Sequence, residues 1–372
     1  MESSHRQRAR RAAGSFVAAA ALLTVVGPAA AQQSSLAVGP DGAITFTPGL
    51  RVQPRFTYDN TDGNSDFFVA RVRFKGGGSA FGVATYYTEL KLDNVGRFNR
   101  TVSAQIENAW LNFGFKPEVN LRIGLYDAVF SRDALTSDSK LLLMDRSMIK
   151  DALTAVGFAD NTVGVLVHGR PGQGRFEYSA GLFDNLAFDG GDGAVQREAD
   201  GLMVQGHFVF NVFDPAPLGG YGDYLGSYLG SGRRLAIGVS AGYLPDARID
   251  ATELDLTGLG ADLFFNQGPA TIQAEYASYR ENVTGGPGSF TGKGWYVQGG
   301  YLVRPRIELA ARFQQLDPTD TATDDRLQWT SVGANYYIRA HNMKVQSDYT
   351  FKREQGQQTS NDLFQVQFQL DF

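Results

Sequence analysis

Residues 362–372 read DLFQVQFQLDF: Phe364, Val366, Phe368, Leu370 and Phe372 are apolar, and Gln365, Gln367, Gln369 and Asp371 fall between them. Period-two alternation gives an extended strand one apolar face and one polar face. The pattern recurs along the chain. Val52, Pro54, Phe56 and Tyr58 alternate with Arg51, Gln53, Arg55 and Thr57; Phe68, Ala70, Val72 and Phe74 alternate with Val69, Arg71, Arg73 and Lys75. Leu121, Ile123 and Leu125 alternate with Arg122, Gly124 and Tyr126, and similar runs occupy 175–183, 306–314 and 343–352. After residue 31 no stretch offers the 18 or more apolar residues of a transmembrane helix. Strands with one apolar face then build either a soluble sandwich or a closed barrel in lipid, where every backbone polar group pairs between neighbours.

The spacing favours the barrel. Adding the less regular segments at 81–92, 103–115, 162–169, 201–213, 234–244, 254–266, 271–280, 294–303 and 329–339 predicts an all-β fold of 16 strands. Short Gly/Pro turns (KGGGSA, FKPEVN, GRPGQG, NQGPA) alternate with longer polar joins, as in membrane barrels whose two rims face different compartments. The 26 Phe and 16 Tyr often stand near segment ends, where such barrels carry aromatic girdles. One join, 213–232, is long where the alternation asks for a short turn, and nothing in its composition says why. The longest join, 127–161, has a helical pattern within 134–155, and joins of this length usually serve a function.

The first residues predict export. Arg6, Arg8, Arg10 and Arg11 precede an apolar run from Phe16 to Val26 and small residues at Ala29 and Ala31, so 1–31 read as a cleaved signal peptide and 32–372 as the barrel. Removing 1–31 takes away four Arg and one Glu, leaving 30 basic and 38 acidic residues and a net charge of −8. That balance excludes nucleic acid as a partner. The absence of cysteine excludes disulfides and thiolate chemistry. His168, His207 and His341 are isolated, no metal-ligand spacing occurs, and neither a cofactor nor an enzyme is expected. The stretch 286–294, GPGSFTGKG, has Pro287 where a phosphate-binding loop needs glycine, and it is expected in an external loop.

The run LRIGLYDAVFSRDALTSDSKLLLMDRSM with AVGFADNTVGVLVHG, preceded by ENAWLNFGFKPEVN, resembles the phosphate-selective porin O/P family, most strongly over 48–185. The resemblance implies a 16-stranded antiparallel barrel in the bacterial outer membrane, trimeric and anion-selective, with the 127–161 loop folded into the lumen as a constriction. It also implies a ladder of lumenal cations, for which Arg51, Arg55, Arg71, Arg73, Lys75 and Arg122 are the candidates, with Arg132 and Arg146 on the constriction loop. Guanidinium forks match phosphate oxygens, and inward rows of charge concentrate anions. Small anions, phosphate among them, and membrane lipid are the implied partners. The chain has only eight Lys, and its loop is not net basic. Arg–Glu pairing with Glu89 or Glu107, and pinning of Arg132 and Arg146 by Asp133 and Asp145, therefore stay open. So do a general or carbohydrate-permeable pore using Tyr87, Tyr126 and Tyr279, and a plugged scaffold.

Overall fold

The computed structural model describes residues 35–39, 42–61, 63–184, 197–199, 201–215, 224–249, 252–284, 286, 288–355 and 361–372. The expected signal peptide lies outside them. The strands are β1 (Leu36–Val38), β2 (Ile44–Asp59), β3 (Asn64–Ala80), β4 (Ala84–Val95), β5 (Ala104–Lys116), β6 (Val119–Asp127), β7 (Asn161–Gly169), β8 (Phe176–Phe183) and β9 (Arg197–Ala199). They continue as β10 (Met203–Asn211), β11 (Arg233–Ile249), β12 (Thr252–Gln267), β13 (Ala270–Val283), β14 (Ser289–Arg304), β15 (Ile307–Asp317), β16 (Leu327–Arg339), β17 (Met343–Glu354) and β18 (Leu363–Asp371).

Sixteen of these, β2–β8 and β10–β18, pair antiparallel in chain order and close into a barrel. Two pairings complete the ring: β8 with β10 (Phe183↔Met203 to Phe176↔Phe210) and β18 with β2 (Gln367↔Arg55, Asp371↔Arg51). Closure removes the unpaired edges that a sheet in lipid could not satisfy. The short β1 and β9 lie beside β2 and β11.

The C-terminal alternation is the last strand of the wall. Gln365, Gln367 and Gln369 are buried on the inner face. Apolar side chains such as Val239, Leu259, Val297 and Val332 are exposed on the outer face, where lipid covers them.

One segment departs from simple alternation. Gln53 pairs with Arg71 but Pro54 pairs with Val69, so Ala70 is an extra residue, a β-bulge. Above it the faces exchange: Phe67 is 71% exposed, whereas Phe68 is 4% exposed with the Arg97 guanidinium 4.9 Å over its ring. Phe68 therefore does not share the lipid-facing set with Val72 and Phe74. Strands also run further toward the long-join rim than the sequence pattern suggests, and Ser289–Lys293 belongs to β14 and not to a loop.

Candidate functional site: the lumen

Residues 128–160 fold inward and cover much of the inner wall. Two short helices, α1 (Arg132–Leu135) and α2 (Met148–Ala155), form within them. Each starts at a serine N-cap: Ser131 Oγ accepts from the Ala134 amide at 3.2 Å and Ser147 Oγ from the Lys150 amide at 3.3 Å. The apolar side of the segment makes a hydrophobic core inside the barrel, where Phe130, Ile149, Leu153 and Phe158 are at most 1% exposed. The Phe130 and Phe158 rings stack at 5.4 Å and lie against Gly242, Gly258 and Gly260. A Cβ at Gly258 would stand 2.8 Å from one ring and 2.9 Å from the other, so these inward glycines are recesses that admit the aromatic pair.

Polar side chains of the wall satisfy the segment's backbone, which strand pairing cannot reach. Gln205 accepts from the Val129 amide and donates to the Phe158 carbonyl. Gln314 accepts from Met148 N, Asp348 accepts from Met144 N, Asn335 donates to Leu142 O, and Lys344 donates to Leu141 O. Arg312 donates to the Asp145 and Arg146 carbonyls. Arg132 is fixed between Asp262 (2.6 Å) and the face of Tyr224 (4.1 Å), with both members of the ion pair 3% exposed. Its acidic partner is thus on β12 and is not Asp133, which caps the second helix by accepting from Ser147 N and Oγ.

The unexplained join 213–232 supplies a second inward segment. From the short-turn rim, Tyr224–Ser231 enter beneath the first. Tyr224 OH donates to Glu177 at 3.2 Å, Ser227 Oγ to Glu308 at 2.7 Å, and the Gly226 amide to Lys140 O at 2.9 Å. Nothing in the run of Gly, Tyr and Leu marks it as inward-folding. The only available signal was its length on the wrong rim.

Partly buried charges collect along β2–β6 and the facing edge of the 128–160 segment. Arg71 Nε meets Asp138 Oδ2 at 2.9 Å, Arg146 Nη2 meets Asp138 Oδ1 at 2.9 Å, and Arg55 Nη1 meets Asp145 Oδ1 at 2.8 Å. Burial raises the Asp138 carboxyl, but Arg71, Arg146 and Arg51 outweigh it and hold the group well below the ordinary carboxylate range. Asp145 is held low in the same way: burial opposes the effect, and Arg55 with the Gln365 amide overcomes it.

The other candidates are placed as follows. Arg51 and Lys75 share Asp371, and Arg51 also donates to Ser137 Oγ at 2.8 Å. Arg73 stands opposite Arg51 in register and is enclosed by Glu89 (3.1 Å), Asp93 and Glu107 (4.0 Å). Arg122 lies 4.0 Å over the Trp110 ring, whose other neighbour is Tyr87 at 5.7 Å. The structure therefore brings Arg55, Arg71 and Arg146 into one seam. Arg51 and Lys75 stand beside it at Asp371, Arg73 lies within a carboxylate cluster, Arg122 is on the aromatic wall, and Arg132 is in the packed half.

A sequence profile described as "Phosphate-selective porin O and P" matches residues 46–372. A protein of Aquifex aeolicus (strain VF5), described as uncharacterized, is 24% identical over 87% of this chain and 86% of its own length. Among solved structures, the anion-selective porin from Comamonas acidovorans superimposes with a TM-score of 0.62 at 13% identity, covering 88% of this chain and 100% of that one. OmpT of Vibrio cholerae, in its trimer form, does so with a TM-score of 0.57 at 11% identity, covering 89% and 100%. Family profile, closed 16-stranded barrel and inward-folded segment agree: the chain belongs to the phosphate-selective porin O and P family, and it is a porin of the bacterial outer membrane.

Proposed function

We propose that the pore passes small solutes passively with a preference for anions, phosphate among them, and that the working unit is a homotrimer exported after cleavage following Ala31. The observation that carries the anion preference is the seam, where the guanidiniums of Arg55, Arg71 and Arg146 are in ion-pair contact with two carboxylates, Asp138 and Asp145. Guanidiniums lining a pore replace part of an anion's hydration. The family description and the anion selectivity named for the Comamonas porin point the same way. The trimer form of the Vibrio porin supports the assembly. Selection by width and charge needs no covalent step. Glu89, Asp93 and Glu107 outnumber the Arg73 and Lys91 cations they enclose, so this cluster adds net negative charge and keeps the preference moderate.

The test is the reversal potential of single channels in a planar bilayer under a KCl gradient, followed by phosphate titration. The wild-type potential is expected on the chloride side, with chloride current reduced by phosphate. Arg71→Glu is expected to move it toward the cation side. A wild-type channel indifferent to ion sign would overturn the anion reading, and one unaffected by phosphate would remove phosphate alone.

A further inference from the structure

The inner wall of β4–β6 carries an aromatic row that the ion pairs of the seam do not use. Tyr87, Trp110 and Gly124 stand opposite one another in register. The Tyr87 and Trp110 rings lie 5.7 Å apart at 33°, the Arg122 guanidinium stacks 4.0 Å over Trp110, and Tyr126 follows 5.8 Å from the same guanidinium. Gly124 puts no side chain beside Trp110, which leaves that side of the indole to Arg122 from the next inward position.

The row faces the passage. Leu111 and Ile123, the alternate residues on these strands, are 48% and 42% exposed on the lipid side, so Trp110 and Arg122 point inward. Tyr87, Trp110 and Arg122 are partly exposed, and on the inner face of a closed barrel that surface meets only the lumen. By contrast, Tyr296 and Tyr337 of the packed half are at most 2% exposed. The charge beside the row is also arranged. Glu89 accepts from Tyr87 OH at 2.5 Å and is itself held by Arg73 at 3.1 Å, whereas Arg122 stands within the row. A guanidinium stacks through its face and binds anions through its edge. An Arg embedded among rings therefore suits a solute that joins a flat ring to a negative group better than it suits a neutral sugar.

We propose that this row is a binding subsite for small aromatic anions, aryl phosphates and aryl carboxylates, with the ring against Trp110 and Tyr87 and the negative group at Arg122. The inference rests on the anion reading of the pore and adds to it the class of organic solute that the wall retains.

The test uses the purified full chain in planar bilayers and reads the concentration of added solute that halves the chloride current. Phenyl phosphate is compared with cyclohexyl phosphate, which matches its charge and approximate size but has no flat ring, and with benzyl alcohol, which has the ring and no charge. On the wild type, phenyl phosphate is expected to act at roughly 2- to 10-fold lower concentration than cyclohexyl phosphate, the gain of one aromatic pair beyond its buried area. Benzyl alcohol at the same concentrations is expected to leave the current as it was. Trp110→Leu should bring the two phosphates level, and Trp110→Phe should keep most of the difference. Both phosphates are read in the same channel, so a change of pore width in a variant cancels in the ratio. Equal action of the two phosphates on the wild type, a ratio that survives Trp110→Leu, or block by benzyl alcohol matching that of phenyl phosphate would each overturn the subsite. A wild type without chloride preference would instead overturn the anion reading beneath it.

Discussion

On β10–β18 the inward side chains that hold the backbone of residues 128–160 are amides together with enclosed charges such as Arg312, Lys344 and Asp348, whereas on β3–β6 the inward side chains are mostly Arg, Lys, Asp and Glu. Gln205, Gln314, Asn335 and Gln346 are all under 4% exposed. Arg71, Lys91 and Glu107 keep 18–21% of their side-chain surface. A neutral amide supplies donor and acceptor together at a smaller desolvation cost than a charge, so it suits a dry contact. Ionised groups on the β10–β18 side are enclosed with their partners, whereas several on β3–β6 keep some contact with water. The barrel is thus a packed core on one side and a passage on the other, with the 128–160 segment as the partition.

The largest break in this contrast should come from the charge pair inside the packed half. Arg132→Ala leaves Asp262 buried with only His207 at 2.9 Å, and losing one partner of a buried pair costs about 3–5 kcal/mol. The partition should loosen, seen as a severalfold rise in single-channel conductance and cleavage of 128–160 by added protease. Arg132→Met combined with Asp262→Leu should restore low conductance, because an apolar pair of similar volume avoids the stranded charge. Unchanged conductance and protease resistance in Arg132→Ala would mean that the segment is held by its apolar core alone.

The second inward segment gives a smaller and more local break. A Cβ on Gly226 would lie 2.7 Å from Leu142 N and 2.8 Å from Lys140 O, both backbone atoms with no rotamer to yield. Gly226→Val should therefore push the partition from below, at about 1–3 kcal/mol, the usual cost of overpacking. The expected readout is noisier open-channel current with a modest rise in conductance. Quiet, wild-type current would show that Tyr224–Ser231 merely rests against the partition.

How the sequence relates to this arrangement differs between the two halves. The wall was legible because period-two alternation is a local property that pairing preserves; β18 follows the alternation of Phe364–Phe372 directly. The bulge at Ala70 was not, because VARVRF alternates equally well on either side of an inserted residue and only the register with Gln53 and Pro54 reveals it. The site was legible as a set of inward cations. Their partners were not, because Arg132–Asp262 and Arg71–Asp138 join residues far apart in sequence, so spacing carries no trace of them. The recesses at Gly242 and Gly258 read as ordinary small strand residues until the rings are placed against them.

Acid should separate the halves less than mutation does. Asp138 would take up a proton near its ordinary value of 3.8 in the unfolded chain but only well below that in the folded one. A lowered folded-state value stabilises fully above the unfolded one and fades only as pH falls through the folded one. Asp138 should therefore stay ionised, and the difference in reversal potential between wild type and Asp138→Asn should stay flat, from about pH 7 to about pH 4. Asp138→Asn should shift the potential further to the anion side at every pH in that range. A difference that collapses near pH 4 would show that Asp138 is an ordinary solvated carboxylate.

The smallest effect is expected on the aromatic wall. Arg122 meets Trp110 face-on at 4.0 Å, and its ring partner Tyr126 is 5.8 Å away, so its charge is spread over aromatic faces and not clamped into the seam. A cation–π contact at a partly exposed site contributes about 0.5–1 kcal/mol, too little to position the partition. Arg122→Gln should leave conductance close to wild type and shift reversal potential only slightly, well short of Arg71→Glu. If Arg122→Gln instead abolished anion preference, the passage would be governed by the wall opposite the seam. Comparing these two variants in one bilayer series therefore locates the ion path between Trp110 and Asp138.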